Sequence, residues 1–161
     1  MKSTLKKVLT LMCLVCCLNF LSLTVEAAGP RDGEIVDGSL LTSNQTASDS
    51  FEINTRSMIL ASGLSSITHH GRGVLYLSGE TYGYQVCNKL KANIFLERLV
   101  GDSWQYVTQR SYTAEDSYKL IDGVYVTLPT GYYYRIQGNH AAIKGNLTET
   151  NYTLTDGIYI E

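Results

Sequence analysis

The chain has 161 residues, 44% of them apolar, with 13 basic residues against 15 acidic ones. That length supports one domain with a core of ordinary size and is too short for two comfortable ones. With the first 27 residues set apart, 10 basic and 14 acidic residues remain, a balance with no electrostatic footprint for nucleic acid or anionic lipid.

Residues 1–27 read as a secretory signal peptide. Lys2, Lys6 and Lys7 form a positive n-region, residues 8–23 an apolar h-region, and Val25-Glu26-Ala27 a cleavage site before Ala28. A retained transmembrane anchor needs about 20 apolar residues, and this run is shorter. A lipid anchor needs a small residue before the acylated cysteine, whereas Cys13, Cys16 and Cys17 follow Met12, Val15 and Cys16. The expected product is secreted and extracellular, with no membrane anchor after cleavage. Cys87 is then the lone cysteine, so no intramolecular disulfide forms and the core must hold the fold.

Residues 28–56 read as a flexible acidic leader. Up to Thr55 only Arg31 opposes Asp32, Glu34, Asp37, Asp49 and Glu52, and turn and polar residues dominate. Ile35, Val36, Leu40 and Leu41 are too few for a core, though enough for a short edge strand.

From residue 57 to 161 the pattern turns to β. Residues 73–79, GVLYLSG, alternate between glycines, 82–88 suggest a short strand, and 92–99 alternate Ala92, Ile94 and Leu96 against Asn93, Phe95 and Glu97. Val100-Gly101-Asp102-Ser103 reads as a hairpin loop. Residues 104–112 return antiparallel, and the opposite parity of Trp104 and Val107 calls for a bulge between them if both are to be buried. Residues 118–121 and 124–128 straddle Asp122-Gly123, either a tight turn or a bulge within one strand. Pro129 ends that run. In residues 132–137, Tyr132, Tyr134 and Ile136 share one face, directed at the core, and Tyr133, Arg135 and Gln137 share the other. Residues 145–155 read as a polar loop and 157–161 as a last strand with Ile158 and Ile160 inward. No segment of ten residues shows a helical period. The expected fold is all-β, an antiparallel β-sandwich, immunoglobulin-like or jelly-roll-like, of about seven to eight short strands.

Several stretches carry a resemblance: DGSLLT (37–42), LASGLSSI (60–67), GRGVLYLSGET (71–81), IFLERLVGDSW (94–104), RSYTAED (110–116), GYYYRIQGNHAA (131–142) and DGIYIE (156–161). With these the chain resembles a family of small secreted proteins of Gram-positive, clostridia-like bacteria classed as a domain of unknown function. The resemblance implies a secreted β-sandwich-like domain. That family has no assigned activity or functional residues, so no site carries over.

Catalytic chemistry is poorly signposted. Cys87 with His69, His70 or His140 lacks a cysteine-hydrolase signature. Adjacent His69 and His70 on a strand point to opposite faces, without zinc spacing. The aspartate–glycine pairs lack the repeated carboxylates of a calcium loop, and Glu97, Glu115, Asp116 and Glu149 read as surface charge rather than a glycosidase pair. Leu128-Pro129-Thr130-Gly131 has no apolar tail after it, which removes a sortase reading. Asn44, Asn146 and Asn151 begin N-x-Thr sequons, relevant only in a glycosylating host.

Tyrosine stands out, with 12 in the chain, all beyond residue 27. Solvent-facing aromatics on a sheet stack on sugar rings or anchor partners. Tyr133, Arg135 and Trp104 are therefore the candidate ligand-binding residues. The expected function is a non-enzymatic extracellular binding module for glycan, cell-envelope material or another protein, with no cofactor and no metal. A self-associating structural β protein is the alternative and a small secreted hydrolase the weaker one.

Overall fold

The structure, a computed structural model, describes residues 28–53 and 57–161. The expected signal peptide, residues 1–27, lies outside the described residues. Among those described, no helix is long and apolar enough to cross a membrane.

Eight strands follow a short 3-10 turn at Gly38–Leu40. They are β1 (Leu41–Thr42), β2 (Thr46–Glu52), β3 (Leu60–His69), β4 (Val74–Val100), β5 (Ser103–Thr127), β6 (Tyr132–Lys144), β7 (Leu147–Leu154) and β8 (Gly157–Ile160). The order β1-β8-β6-β4-β3-β2, with β5 on β4 and β7 on β6, makes one mixed sheet that is nearly barrel-shaped. The chain is all-β, as expected. It departs from an antiparallel set of short strands because β1 runs parallel to β8, and because β4 and β5 are 27 and 25 residues long.

The segment expected as a leader supplies the 3-10 turn, β1 and β2, and β2 pairs with β3 over seven residues. Its low apolar content is compatible with a strand because β2 needs only backbone pairing along its length, an inward Ala47 and a half-buried Phe51 packed on the core. Residues 145–155, expected as a loop, contain β7, which is polar because one of its faces meets solvent.

The long strands arise where punctuation residues bend the chain instead of ending it. Gly101, at φ +60°, and Asp102 form the tight β4–β5 turn. Between Tyr82 and Cys87, four residues of β4 oppose Tyr118 alone on β5, and this irregularity turns a corner. Before the corner β4 pairs with β3, and after it with β6, while β5 accompanies both halves. Asp122-Gly123 lies inside β5, and no room exists for a β-carbon on Gly123 because the Tyr76 phenol lies over it. A bulge is present near Trp104, with Val107 as the extra residue opposite Leu96 and Glu97, but it does not bring both side chains inside as expected, since Val107 packs on the core and Trp104 stays on the other face.

After the corner, the two halves of β4 face one another. Leu75 and Leu77 share a core with Ile94 and Leu96, joined by Ile67, Tyr134, Ile136, Ile158 and Ile160. A β-carbon on Gly79 would stand 2.8 Å from Ile94 Cδ1, so glycine sets how closely the walls approach. Tyr134 and Ile136 are buried as their parity requires, whereas Tyr132, beyond the end of the core, is exposed beneath the Arg98 guanidinium at 4.7 Å.

Polar side chains close the remaining seam. Glu149 of β7 accepts the backbone N–H groups of Met58 (2.8 Å), Ile59 (3.0 Å) and Leu60 (2.8 Å) and the Ser57 hydroxyl. Burial works to raise its pKa, but these four donors more than offset that and bring it down to about 2. Asp49 of β2 accepts the Leu154 N–H at 2.7 Å.

Inside, His140 is fully buried. Its Nδ1 lies 2.9 Å from Thr81 Oγ1, and its Nε2 lies 3.2 Å from Ser65 Oγ and 3.1 Å from Thr153 Oγ1. Burial pulls its pKa down to about 4, so the imidazole is neutral at physiological pH. The unfolded chain binds this proton at about pH 6.5 and the folded one only near 4, so stability falls as pH drops through that window. The expected loss attributable to His140 between pH 6.5 and 4 is roughly 3 kcal/mol. Denaturant midpoints measured across this range in the wild type and in His140→Gln check it. The variant should lose that slope, and an equal slope in both would refute the assignment.

Candidate functional site

Of the three candidates from sequence, Trp104 and Arg135 are 2% and 3% exposed. They lie on the outer face of the sheet, yet they are covered, because residues 29–36 run across them as a strap. The strap is pinned by Gly33 N–H to Trp104 O (2.7 Å), Trp104 N–H to Glu34 O (2.8 Å) and Val36 N–H to Asp102 O (2.8 Å). Asp32 adds a carboxylate acceptor for Tyr106 N–H at 2.7 Å. Beneath it the Arg135 guanidinium sits 4.3 Å from the Trp104 ring. Its Nε donates to Glu97 Oε2 at 2.7 Å and its Nη2 to Glu34 Oε2 at 2.9 Å. Burial raises the Glu97 pKa and Arg135 only partly counters it. Glu34 is nearer solvent, and there the two guanidiniums of Arg31 and Arg135 outweigh burial and lower its pKa. Tyr133 is half-buried, its ring 5.1 Å from that of Tyr159.

Cys87 is buried in the core, and its thiol donates to Gln85 O at 3.3 Å. Burial raises its pKa, away from thiolate character. None of His69, His70 and His140 bonds to it among the described residues. Ser65 and His140 do meet, but the imidazole Nδ1 faces a threonine hydroxyl rather than a carboxylate. β-Carbons added at Gly63 or Gly138 would collide with the ring, so the pair sits in a closed interior. Among the described residues no group of histidine, cysteine and carboxylates is gathered for a metal.

The exposed convergence of polar groups lies beyond the strap, on the outer face of β5, β4, β6 and β7. Register aligns Ser111 with Asn93, Asn93 with Asn139 and Asn139 with Tyr152. Strands about 5 Å apart make this a row about 15 Å long. The next row carries Ala141 opposite Thr150, and the small alanine leaves a depression beside the ring. A cleft of about 570 Å³ is lined by Asn93, Asn139, His140, Ala141, Thr150, Asn151 and Tyr152. Tyr152 is 56% exposed, with the Arg31 guanidinium 5.5 Å from its ring centroid. Gln137 Nε2 donates to Asn139 Oδ1 at 2.9 Å, which turns the Asn139 amide donors outward, while Gln137 Oε1 is buried with no partner among the described residues. The Asn93 carboxamide makes no hydrogen bond among them.

Each carboxamide sets an acceptor and a donor side by side, able to bridge neighbouring hydroxyls, and a nearby ring offers an apolar face. Sequence parity alone did not find this site. It shows Asn93 and Phe95 on one face of β4, but the row exists only once register sets Asn139 and Tyr152 beside Asn93.

The covered pair yields a stability test. Arg135→Ala strands the Glu97 carboxylate in a buried position, an expected cost of about 3–5 kcal/mol in chemical denaturation. A loss under about 1 kcal/mol would mean that water reaches Glu97 and that the strap does not seal it. No protein-family model, no curated protein and no solved structure matches this chain.

Proposed function

We propose that the protein is a secreted, non-enzymatic binding module that takes glycan or cell-envelope material on the face formed by Asn93, Asn139 and Tyr152. One observation carries this reading: two carboxamides and an exposed aromatic ring stand in register across three strands, beside a cleft floored by alanine. Carboxamides around one ring suit a hydroxyl-rich ligand, and strands hold them in place before binding. Secretion and kinship with the clostridia-like family belong to the same proposal, as does a two-layer, sandwich-like division of the curled sheet at the β4 corner. The module works with no cofactor.

Self-association is the second reading. Over most of its 25 residues β5 pairs with β4 alone, and Tyr118, Ile121 and Tyr125 are exposed along it. Light scattering at increasing concentration separates the two, since a stable oligomer is required by the second and not by the first.

For the glycan reading, mature protein is incubated with peptidoglycan, chitin and soluble oligosaccharides, and retention is compared with Tyr152→Ala and Asn139→Ala. Each variant should weaken binding about tenfold, the worth of one stacked ring or one well-made hydrogen-bond set. Retention on none of these materials, or variants that bind as the wild type does, would sink the proposal.

A further inference from the structure

The strap contacts the sheet through more than its backbone. Glu34 sends its carboxylate inward to Arg135 Nη2 at 2.9 Å and also accepts from Arg31 Nη1 at 3.1 Å. Two guanidiniums thus converge on one carboxylate, while Glu97, the other acid on Arg135 among the described residues, occupies the Nε edge. With Glu34 absent, the place it fills would carry a net positive charge and an unpaired guanidinium edge. That place is not sealed, because the Glu34 side chain is itself 37% exposed, against 4% for Arg135. It also joins the amide–aromatic face: Arg31 spans from Glu34 to the ring of Tyr152, and Gln137 lies between Arg135 and Asn139 on β6.

We propose that Arg135, Arg31 and Trp104 form a carboxylate-binding subsite of which Glu34 is the resident occupant. A carboxylate-bearing sugar lying on Asn93, Asn139 and Tyr152 competes with Glu34 for it. The inference rests on the glycan-binding reading for its sugar and not for its carboxylate. Guanidinium forks match carboxylates in geometry, and a charge-assisted pair in a partly enclosed site outweighs the same pair in water. The exchange needs only a side-chain rotation, since the strap's backbone bonds to Trp104 and Asp102 do not involve the Glu34 carboxylate.

The test uses the full mature chain, wild type and Glu34→Ala, with Glu34→Gln as a variant that keeps the side-chain shape. Trp104 is the only tryptophan in the chain and lies under the Arg135 guanidinium, so its emission reports the site. The probes are acetate, with chloride as control, and the pair N-acetylmuramic acid and N-acetylglucosamine, which differ by a lactyl carboxylate. In Glu34→Ala, acetate should shift the emission saturably where chloride does not. N-acetylmuramic acid should bind about tenfold more tightly than to wild type, with N-acetylglucosamine unchanged. Glu34→Gln should fall between the two. Equal affinity of the two sugars for folded Glu34→Ala, or no acetate response in either variant, overturns the subsite. An acetate response with neither sugar bound upholds the subsite and removes the glycan reading.

Discussion

One strand serving two walls is the constraint from which the rest of the structure follows. Leu75 and Leu77 of β4 pack on Ile94 and Leu96 of the same strand, so the corner between Tyr82 and Cys87 must fold for any core to exist. The extra residues at the corner are held by the neighbouring loop: Tyr84 N–H donates to Ile59 O at 3.0 Å, and Gln85 Nε2 to Met58 O at 3.2 Å. That loop is in turn gripped by Glu149. The corner, the loop and β7 therefore form one connected seam, and among the described residues, where Cys87 is free, polar closure and a shared apolar core hold the fold. Because the partners lie far apart in sequence, the fold has a high contact order and is expected to form slowly for its size.

Two polar clusters sit where apolar packing would be simpler. Around His140, hydroxyls from β3, β4 and β7 meet one neutral imidazole, and Gly63 and Gly138 leave the room the ring requires. Around Arg135, ions from the strap, β4 and β6 meet under Trp104. Buried ions of this kind contribute little net stability but are costly to disturb singly. Each cluster takes residues from three or more chain segments, so each is satisfied in only one arrangement of those segments.

Strand content, the β4–β5 turn and the inward Ile158 and Ile160 were all legible, since each depends on local chemistry: glycine at a turn, alternation in a strand. What could not be read is which strands continue through their glycines. Gly79 looks like a terminator, and Asp122-Gly123 fits a turn as well as a continuing strand, yet both glycines sit inside strands because another side chain occupies the space of a β-carbon. That cause is tertiary and leaves no trace in the flanking residues. The parity of β6 was read well for Tyr134 and Ile136. It could not show that Arg135, on the opposite face, would also be buried, because its cover comes from Glu34, 101 positions earlier.

That cover changes the meaning of the acidic excess in residues 28–53. Charge without apolar residues is ordinarily the signature of a solvated spacer, and β2 and the strap do lack the apolar content to fold alone. Their carboxylates nevertheless have specific tasks. Asp32 receives the Tyr106 N–H, Glu34 the Arg135 guanidinium and Asp49 the Leu154 N–H, three attachments to three different strands. Asp37 caps the 3-10 turn between them. A segment can thus be low in hydrophobicity and still belong to a sheet when its acids match donors left open by the strands it crosses. Arg135 then owes its cover in part to a carboxylate, and Trp104 to the strap's backbone bonds and to its packing at Gly157 beside Leu41, while Arg31 of the same segment reaches the ring of Tyr152.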